Sequence, residues 1–297
     1  MKIRRGADGV HLFDRHSGLN VLLDEVETNL HEWSRAPRFV SFALTNLCDL
    51  RCSFCYAPKQ PAQLDASQVL DWCRELDENG CLGVGFGGGE PTLHPEFATI
   101  CRHLCNSMDL SVCFTTHAHR FTPRLRDELH GSVHFIRVSM DGVGKTYERI
   151  RGRGFSDFCQ HLEHIRETSA FGINYVVNED TITDLDEGLG LALAAGAEDF
   201  LLLPELSQRG LSHEVHKRLA NWIAANHHRV RLSISEAAIT EGIPLAEPFL
   251  LEKGVSAYIH VNAAGEVCGT SHDQRHAVPI AGAGILSAVA EYAGVIQ

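Results

Sequence analysis

The chain has 297 residues, enough to bury a substantial core as one large domain or two small ones. A hydrophobic fraction of 44% with 22% charged residues excludes broad disorder. The net charge of −12 disfavours a nucleic-acid partner, since phosphate binding rests on clustered Lys and Arg.

The N-terminal stretch, "MKIRRGADGVHLFDRHSG", carries basic residues with no apolar run behind them and does not read as a signal peptide. No run of about 18 apolar residues follows anywhere, so no membrane contact is expected and the expected location is the cytoplasm. In that reducing setting the ten cysteines read as ligands, catalytic groups or buried thiols rather than disulfides. Residues 8–26 predict a hairpin turning at His16-Ser17-Gly18.

From about residue 39 strands and helices alternate. "RFVSFALTN" predicts a strand, and "DASQVLDWCRELDENG" a helix that starts near Asp65 or Ser67 and stops at Gly80. "CLGVGFGGGEP" predicts a second strand running into glycines, followed by a helix over "PEFATICRHLCNSM". The strand "LSVCFTTHA" leads to a helix opened by Thr122 and Pro123. "VHFIRVSMDG" and the helix "FSDFCQHLEHIRETS" follow, then strands "GINYVVN" and "DFLLLPEL" on either side of the helix "TDLDEGLGLALAAG". Six βα alternations imply α/β architecture, with parallel strands joined by right-handed crossovers and function at the carboxyl ends of the strands. After residue 210 come a helix over "SHEVHKRLANWIAANHH", a strand "VRLSISEA", and a hairpin "AYIHVNAAGEVCGTS" turning at Ala264-Gly265. The expected organisation is an N-terminal hairpin extension over 1–38, a core over 39–210, and a small α+β extension over 211–297.

The first strand runs into "TNLCDLRCSFCY", which holds Cys48, Cys52 and Cys55. Zinc sites commonly take four ligands in paired C-x2-C knuckles, and no second knuckle stands near. Cysteine thiolates hold cubane iron–sulfur clusters, and three of them would leave one iron with an open position. Structural zinc and three buried thiols stay open as alternatives. The next strand ends in "GGGEP", where glycines allow close backbone approach to a ligand and the Glu90 carboxylate suits an ammonium group.

Cysteines spaced C-x3-C-x2-C, with Phe54 before the last, and Gly88-Gly89-Glu90-Pro91 one βα unit later resemble the radical S-adenosylmethionine superfamily. The resemblance is strongest to the branch of molybdenum-cofactor, haem and peptide-maturation enzymes, and it covers residues 39 to 210. It implies a partial (β/α)6 TIM-like barrel and one [4Fe–4S] cluster on Cys48, Cys52 and Cys55. S-adenosylmethionine would be bound at the fourth iron and reductively cleaved to a 5′-deoxyadenosyl radical. It further implies that Gly88, Gly89 and Glu90 hold the methionyl amine and that Ser139 faces the ribose, with Asp141 helping or shaping the turn. Arg151 would take the carboxylate, the Tyr56 backbone would lie beside the adenine, and Asn178 and Leu203 would touch cofactor or substrate. Thr115 matches the family's third-strand motif, whereas Thr116 and His117 depart from it. With His119, Thr115 and His117 are candidates for the substrate cavity.

Cys268 stands where relatives begin an extension carrying further clusters, but nothing after it completes one, so a degenerate, cluster-free extension is expected. Cys73, Cys81, Cys101, Cys105, Cys113 and Cys159 are expected to fill gaps in the core, and the pairs His161/His164 and His213/His216 to serve surface or capping roles. The implied reaction is hydrogen abstraction from a peptide side chain or a small metabolite, with a flavodoxin- or ferredoxin-type electron donor. The roughly 38 residues before the core are shorter than a leader-binding domain, which leans toward a small substrate or recognition through a partner protein. A non-catalytic iron–sulfur scaffold and an RNA-modifying enzyme are the alternatives.

Overall fold

The computed structural model describes residues 1–205, 211–235, 246 and 249–296. The first three strands, β1 (Lys2–Gly6), β2 (Gly9–Asp14) and β3 (Leu19–Leu23), form an antiparallel sheet of their own. The expected hairpin is β2–β3, closed where Gly18 N–H donates to Asp14 O at 2.9 Å. β1 was not expected, because "KIRRG" reads as a charged surface segment. Arg4 is nevertheless 2% exposed. It pairs with Glu252 and donates to Ala36 O at 2.8 Å and Gly80 O at 2.9 Å, so its charge is matched by partners far along the chain.

A second sheet follows the predicted alternation: β4 (Phe39–Thr45), α1 (Ala66–Glu78), β5 (Gly83–Gly88), α2 (Phe97–Ser107), β6 (Ser111–Thr116), α3 (Pro123–Leu129) and β7 (Phe135–Ser139). Two helices, α4 (Lys145–Arg151) and α5 (Phe155–Thr168), lead to β8 (Phe171–Val177), α6 (Leu185–Ala195) and β9 (Asp199–Pro204). Caps sit where the side chains require them. Asp65 accepts from Ser67 and Gln68 N–H, Thr122 accepts from Leu125 N–H ahead of Pro123, and Gly196 ends α6 in the left-handed region. Then come α7 (His213–Asn226), β10 (Arg231–Ile234), β11 (Tyr258–Val261), β12 (Glu266–Cys268), β13 (Val278–Pro279) and α8 (Ile285–Val295). The ends of two expected strands, Leu206 and residues 236–237, lie outside the described residues, as does the end of the expected core, 206–210.

The ten strands run in the order β10-β9-β8-β7-β6-β5-β4-β11-β12-β13. β4 to β10 pair in parallel, and β11 joins β4 in parallel; only β12 and β13 are antiparallel. The sheet therefore stays open, as a partial barrel. β10 and β11 fall in the segment expected as an appendage, yet both extend this sheet.

Strand alternation separates two faces. Val40, Phe42 and Leu44 of β4 and Val84 and Phe86 of β5 are buried outward, against Val69, Cys73 and Leu76 of α1 and Ile100, Cys101 and Leu104 of α2. Each such fully buried chain contributes roughly 1.5–3 kcal/mol. The other face bounds a lumen. The N-terminal sheet covers the amino end of that lumen, where Arg15 donates to Met108 O at 2.5 Å and to Leu110 O at 3.2 Å. At the other flank, Glu75 of α1 accepts from Ile285 and Leu286 N–H and so caps α8. No helix of the described residues is long and apolar enough to cross a membrane.

Candidate active site

The loop after β4 carries Cys48, Cys52 and Cys55, all half-buried. Each thiol has a donor. Leu50 N–H reaches Cys48 Sγ at 3.4 Å, Arg151 Nη1 reaches Cys52 Sγ at 3.5 Å, and Lys59 Nζ reaches Cys55 Sγ at 3.2 Å. Burial pushes the Cys48 and Cys52 thiols up, with Leu50 N–H and the Arg151 charge opposing it.

The glycine run after β5 is stitched to this loop. Gly89 N–H donates to Thr45 O at 2.7 Å and Glu90 N–H to Leu47 O at 2.8 Å. Gly88 has φ +111°, and a Cβ there would lie 2.3 Å from Thr45 O; a Cβ on Gly89 would lie 2.2 Å from Leu47 O. Glu90 is 1% exposed. Its Oε1 accepts from Thr92 N–H (3.3 Å), Thr92 Oγ1 (2.7 Å) and Thr116 Oγ1 (2.9 Å), and its Oε2 from His117 N–H (3.0 Å).

Arg151, at the end of α4, pairs with Asp141, which lies in the loop after β7. The other Asp141 oxygen accepts from Val176 N–H at 2.9 Å, and burial pushes this carboxyl up against the pull of both partners. Arg151 Nε is buried without a hydrogen-bond partner. Ser139 ends β7, half-buried and in register with Asn174. Asn178 is occupied locally: its Oδ1 accepts from Asp180 and Thr181 N–H, both at 2.9 Å, and its Nδ2 donates to Glu205 at 2.8 Å.

Tyr56, Gly88, Gly89, Thr115 and Leu203 line one cavity of about 1070 Å³ within the lumen. His117 and His119 stand elsewhere. Strand parity would carry 115, 117 and 119 to one face, but β6 ends at Thr116 and Ala118 takes φ +69°. His117 turns back toward the cysteine loop, its Nε2 2.9 Å from Asp49 Oδ1 and 3.3 Å from Glu90 Oε2. His119 Nε2 meets Tyr147 Oη at 2.8 Å, and burial pushes its pKa down to about 4. Cys48 Sγ, an Asp49 oxygen and a His117 nitrogen lie within 4.8 Å of one another.

Two groups escaped the sequence reading. Asp49 was passed over as a spacer inside the cysteine motif. Ser41 Oγ lies 2.5 Å from Tyr258 Oη and 2.7 Å from His260 Nδ1 on the lumen wall, an arrangement that only the β4–β11 pairing creates. Cys268 is buried in β12, its thiol pushed up to about 11 by burial. Cys101 lies in the core, and Cys105 Sγ reaches Gly131 O at 3.1 Å. The Nδ1 atoms of His161 and His164 are buried without a hydrogen bond, and His164 Nδ1 lies 3.9 Å from Glu167 Oε2.

An open α/β barrel with its polar loops at the carboxyl ends of parallel strands holds ligands at that end. Residues 42–187 match the model of the Radical SAM superfamily, so this part of the chain is a Radical SAM domain. It is 28% identical over 212 residues to the mycofactocin maturase MftC of Mycolicibacterium smegmatis, a match covering 66% of this chain and 54% of that protein. It is 26% identical over 206 residues to the AdoMet-dependent heme synthase of Methanosarcina barkeri, covering 64% and 58%. The chain thus spans about half the length of the relatives it matches. In fold it is similar to Streptococcus suis SuiB bound to S-adenosylmethionine, with a TM-score of 0.70 at 13% identity over 91% of this chain and 81% of that one.

Proposed function

We propose that the chain is a radical S-adenosylmethionine enzyme that abstracts hydrogen from a peptide side chain. Cys48, Cys52 and Cys55 would hold one [4Fe–4S] cluster, and Glu90, Arg151 and Ser139 would hold the cofactor's ammonium, carboxylate and ribose. Gly88, Gly89, the Tyr56 backbone, Asn178 and Leu203 would complete that site. Residues 39–210 are then the core, flanked by the extensions 1–38 and 211–297.

The single observation that carries this reading is a set of three thiols on one loop, each with its own donor, and no fourth. A purely structural site would close its coordination. Two further features fit the cofactor: the glycine pair leaves no room for a Cβ beside the loop, and the buried Arg151 Nε lacks an acceptor. When bound, the cluster and S-adenosylmethionine supply, on one-electron reduction, a 5′-deoxyadenosyl radical able to take a hydrogen atom. The chain's own part is to fix the three thiols, present the Glu90 and Arg151 charges, and keep the lumen walled off by β4 to β9.

A peptide substrate is supported by the mycofactocin maturases among the relatives and by a similar fold in SuiB bound to its precursor peptide SuiA (TM-score 0.63, 14% identity). A small metabolite is the second reading, supported by the heme synthase and by the GTP 3′,8-cyclase of Haemophilus influenzae, 25% identical over 152 residues, which cover 48% of this chain and 44% of that protein. The electron donor is an acidic flavodoxin- or ferredoxin-type protein. Exposed Arg51, Lys59, Arg120 and Arg153 surround the cysteine loop in a chain of net charge −12, a local field that attracts an acidic partner.

The test is anaerobic reconstitution with iron and sulfide, then reduction in the presence of S-adenosylmethionine. About four irons per chain and release of 5′-deoxyadenosine are expected, with iron lost in Cys48→Ala, Cys52→Ala and Cys55→Ala. Normal iron in all three variants would refute the ligand assignment, and a loaded protein that yields no 5′-deoxyadenosine would favour the scaffold reading.

A further inference from the structure

Glu90 Oε1 accepts from Thr92 N–H, Thr92 Oγ1 and Thr116 Oγ1, and Oε2 accepts from His117 N–H alone. Of the about four lone-pair sites on the carboxylate, one on Oε2 is open to an ammonium group. The His117 ring Nε2 stands 3.3 Å from that oxygen without hydrogen-bonding it. A buried donor so close leaves the site open only when another acceptor holds it.

For the His117 ring that acceptor is Asp49. The ring Nδ1 accepts from His119 N–H at 3.1 Å, so the ring proton sits on Nε2. That N–H goes to Asp49 Oδ1 at 2.9 Å, and Glu90 Oε2, 3.3 Å from the same nitrogen, is the neighbouring acceptor it would turn to without Asp49. His117 is 4% exposed, so water does not replace either acceptor. Asp49 is fixed from its far side by Arg120 at 3.5 Å and Arg153 at 3.3 Å, both on its Oδ2, which leaves Oδ1 to the ring.

We propose that Asp49 is a positioning residue for cofactor binding: it holds the His117 Nε2–H off Glu90 and so leaves Glu90 Oε2 open to accept a cationic ammonium group. This rests on the reading that Glu90 takes that group. Asp49 thereby links the cysteine loop to the glycine-run carboxylate through one imidazole.

The test measures S-adenosylmethionine affinity of the iron-loaded, unreduced protein by anaerobic equilibrium dialysis, with iron counted in every sample. Asp49→Ala strands the His117 N–H on Glu90 and should weaken binding roughly ten- to hundredfold, the range of a hydrogen bond to a charged group. Asp49→Asn keeps a carbonyl acceptor and should stay within about threefold of wild type. His117→Ala removes the competitor, so Asp49→Ala with His117→Ala should recover most of the lost affinity. A double variant as weak as Asp49→Ala alone would overturn the proposal, as would an equal loss in Asp49→Asn, which would point to charge rather than to the held donor. Iron lost from Asp49→Ala would make Asp49 a metal ligand and overturn it too. A wild-type protein that binds iron but no S-adenosylmethionine would sink the parent reading together with this one.

Discussion

Gly87 and Gly89 are two residues apart and should answer the same substitution in opposite ways. A methyl group on Gly89 would sit 2.2 Å from Leu47 O, 2.6 Å from Leu47 C and 2.7 Å from Asn46 O, all backbone atoms that cannot swing aside. Restoring ordinary contact requires a shift of about 1 Å in the segment that opens the cysteine loop, an overpacking strain of roughly 1–3 kcal/mol. The shift also pulls on the Glu90 N–H to Leu47 O bond of 2.8 Å, so it displaces a binding carboxylate by a distance that elsewhere costs about a hundredfold in rate. A Cβ on Gly87 meets nothing within 4 Å. Gly87→Ala should therefore leave stability unchanged or raise it by about 0.4–1 kcal/mol, through the loss of unfolded-state freedom. Urea unfolding followed by far-UV circular dichroism reads the stability difference, and iron content with S-adenosylmethionine dialysis reads the site. Equal stability and equal affinity in Gly89→Ala and wild type would refute the steric argument.

Asp141→Ala leaves the Arg151 guanidinium buried without its charge partner and should destabilise by about 3–5 kcal/mol in urea, whereas Arg153→Ala, at a half-exposed pair, should change stability by less than about 1 kcal/mol. Arg51→Glu combined with Arg120→Glu should raise the KM for an acidic electron-donor protein without changing iron content, and the effect should shrink with added salt; a salt-independent or absent change would remove these arginines from the docking surface. His260 is buried and neutral, its pKa pushed down from 6.5 to about 4 by burial. Because the fold disfavours its proton, the stabilisation it gives is complete above pH 6.5 and is lost as pH falls toward 4, a change of about 3 kcal/mol. His260→Gln should flatten the pH dependence of urea unfolding over that window, and an unchanged slope would contradict the assignment.

The βα order, the cysteine loop and the glycine run were legible in the sequence because each is a local pattern. Periodicity gave the helices, and Thr122-Pro123 and Gly196 marked their ends. What the sequence hid depends on partners far along the chain. β1 was unreadable because Arg4 finds Glu252 across 248 residues, and the Ser41–Tyr258–His260 contacts needed β11 to dock on β4. α8 has no side-chain cap of its own; Glu75 supplies it from α1. Arg151 was expected to await a carboxylate, and the structure sets it on Asp141 and Cys52, with Nε left over. His117 could not be placed from strand parity, because the left-handed Ala118 ends the alternation.

The cavity itself has a cause in missing side chains. β5 turns Val84 and Phe86 outward to the helices and Gly83, Gly85 and Gly87 inward to the lumen. The Phe39 ring of β4 lies across the first two of these, since added Cβ atoms there would come within 3.0–3.2 Å of it. Nothing covers Gly87. The lumen is therefore narrowed by an aromatic ring toward the amino end of β5 and left open beside Gly87, next to Gly88, Gly89 and the loop with the three thiols. Read alone, "GVGFGG" looks like a weak strand, because glycine contributes no packing and loses more freedom on folding than other residues. In the sheet the same glycines place empty volume at the end of the barrel where the polar loops converge, and that position makes the cavity a place for chemistry rather than a packing defect.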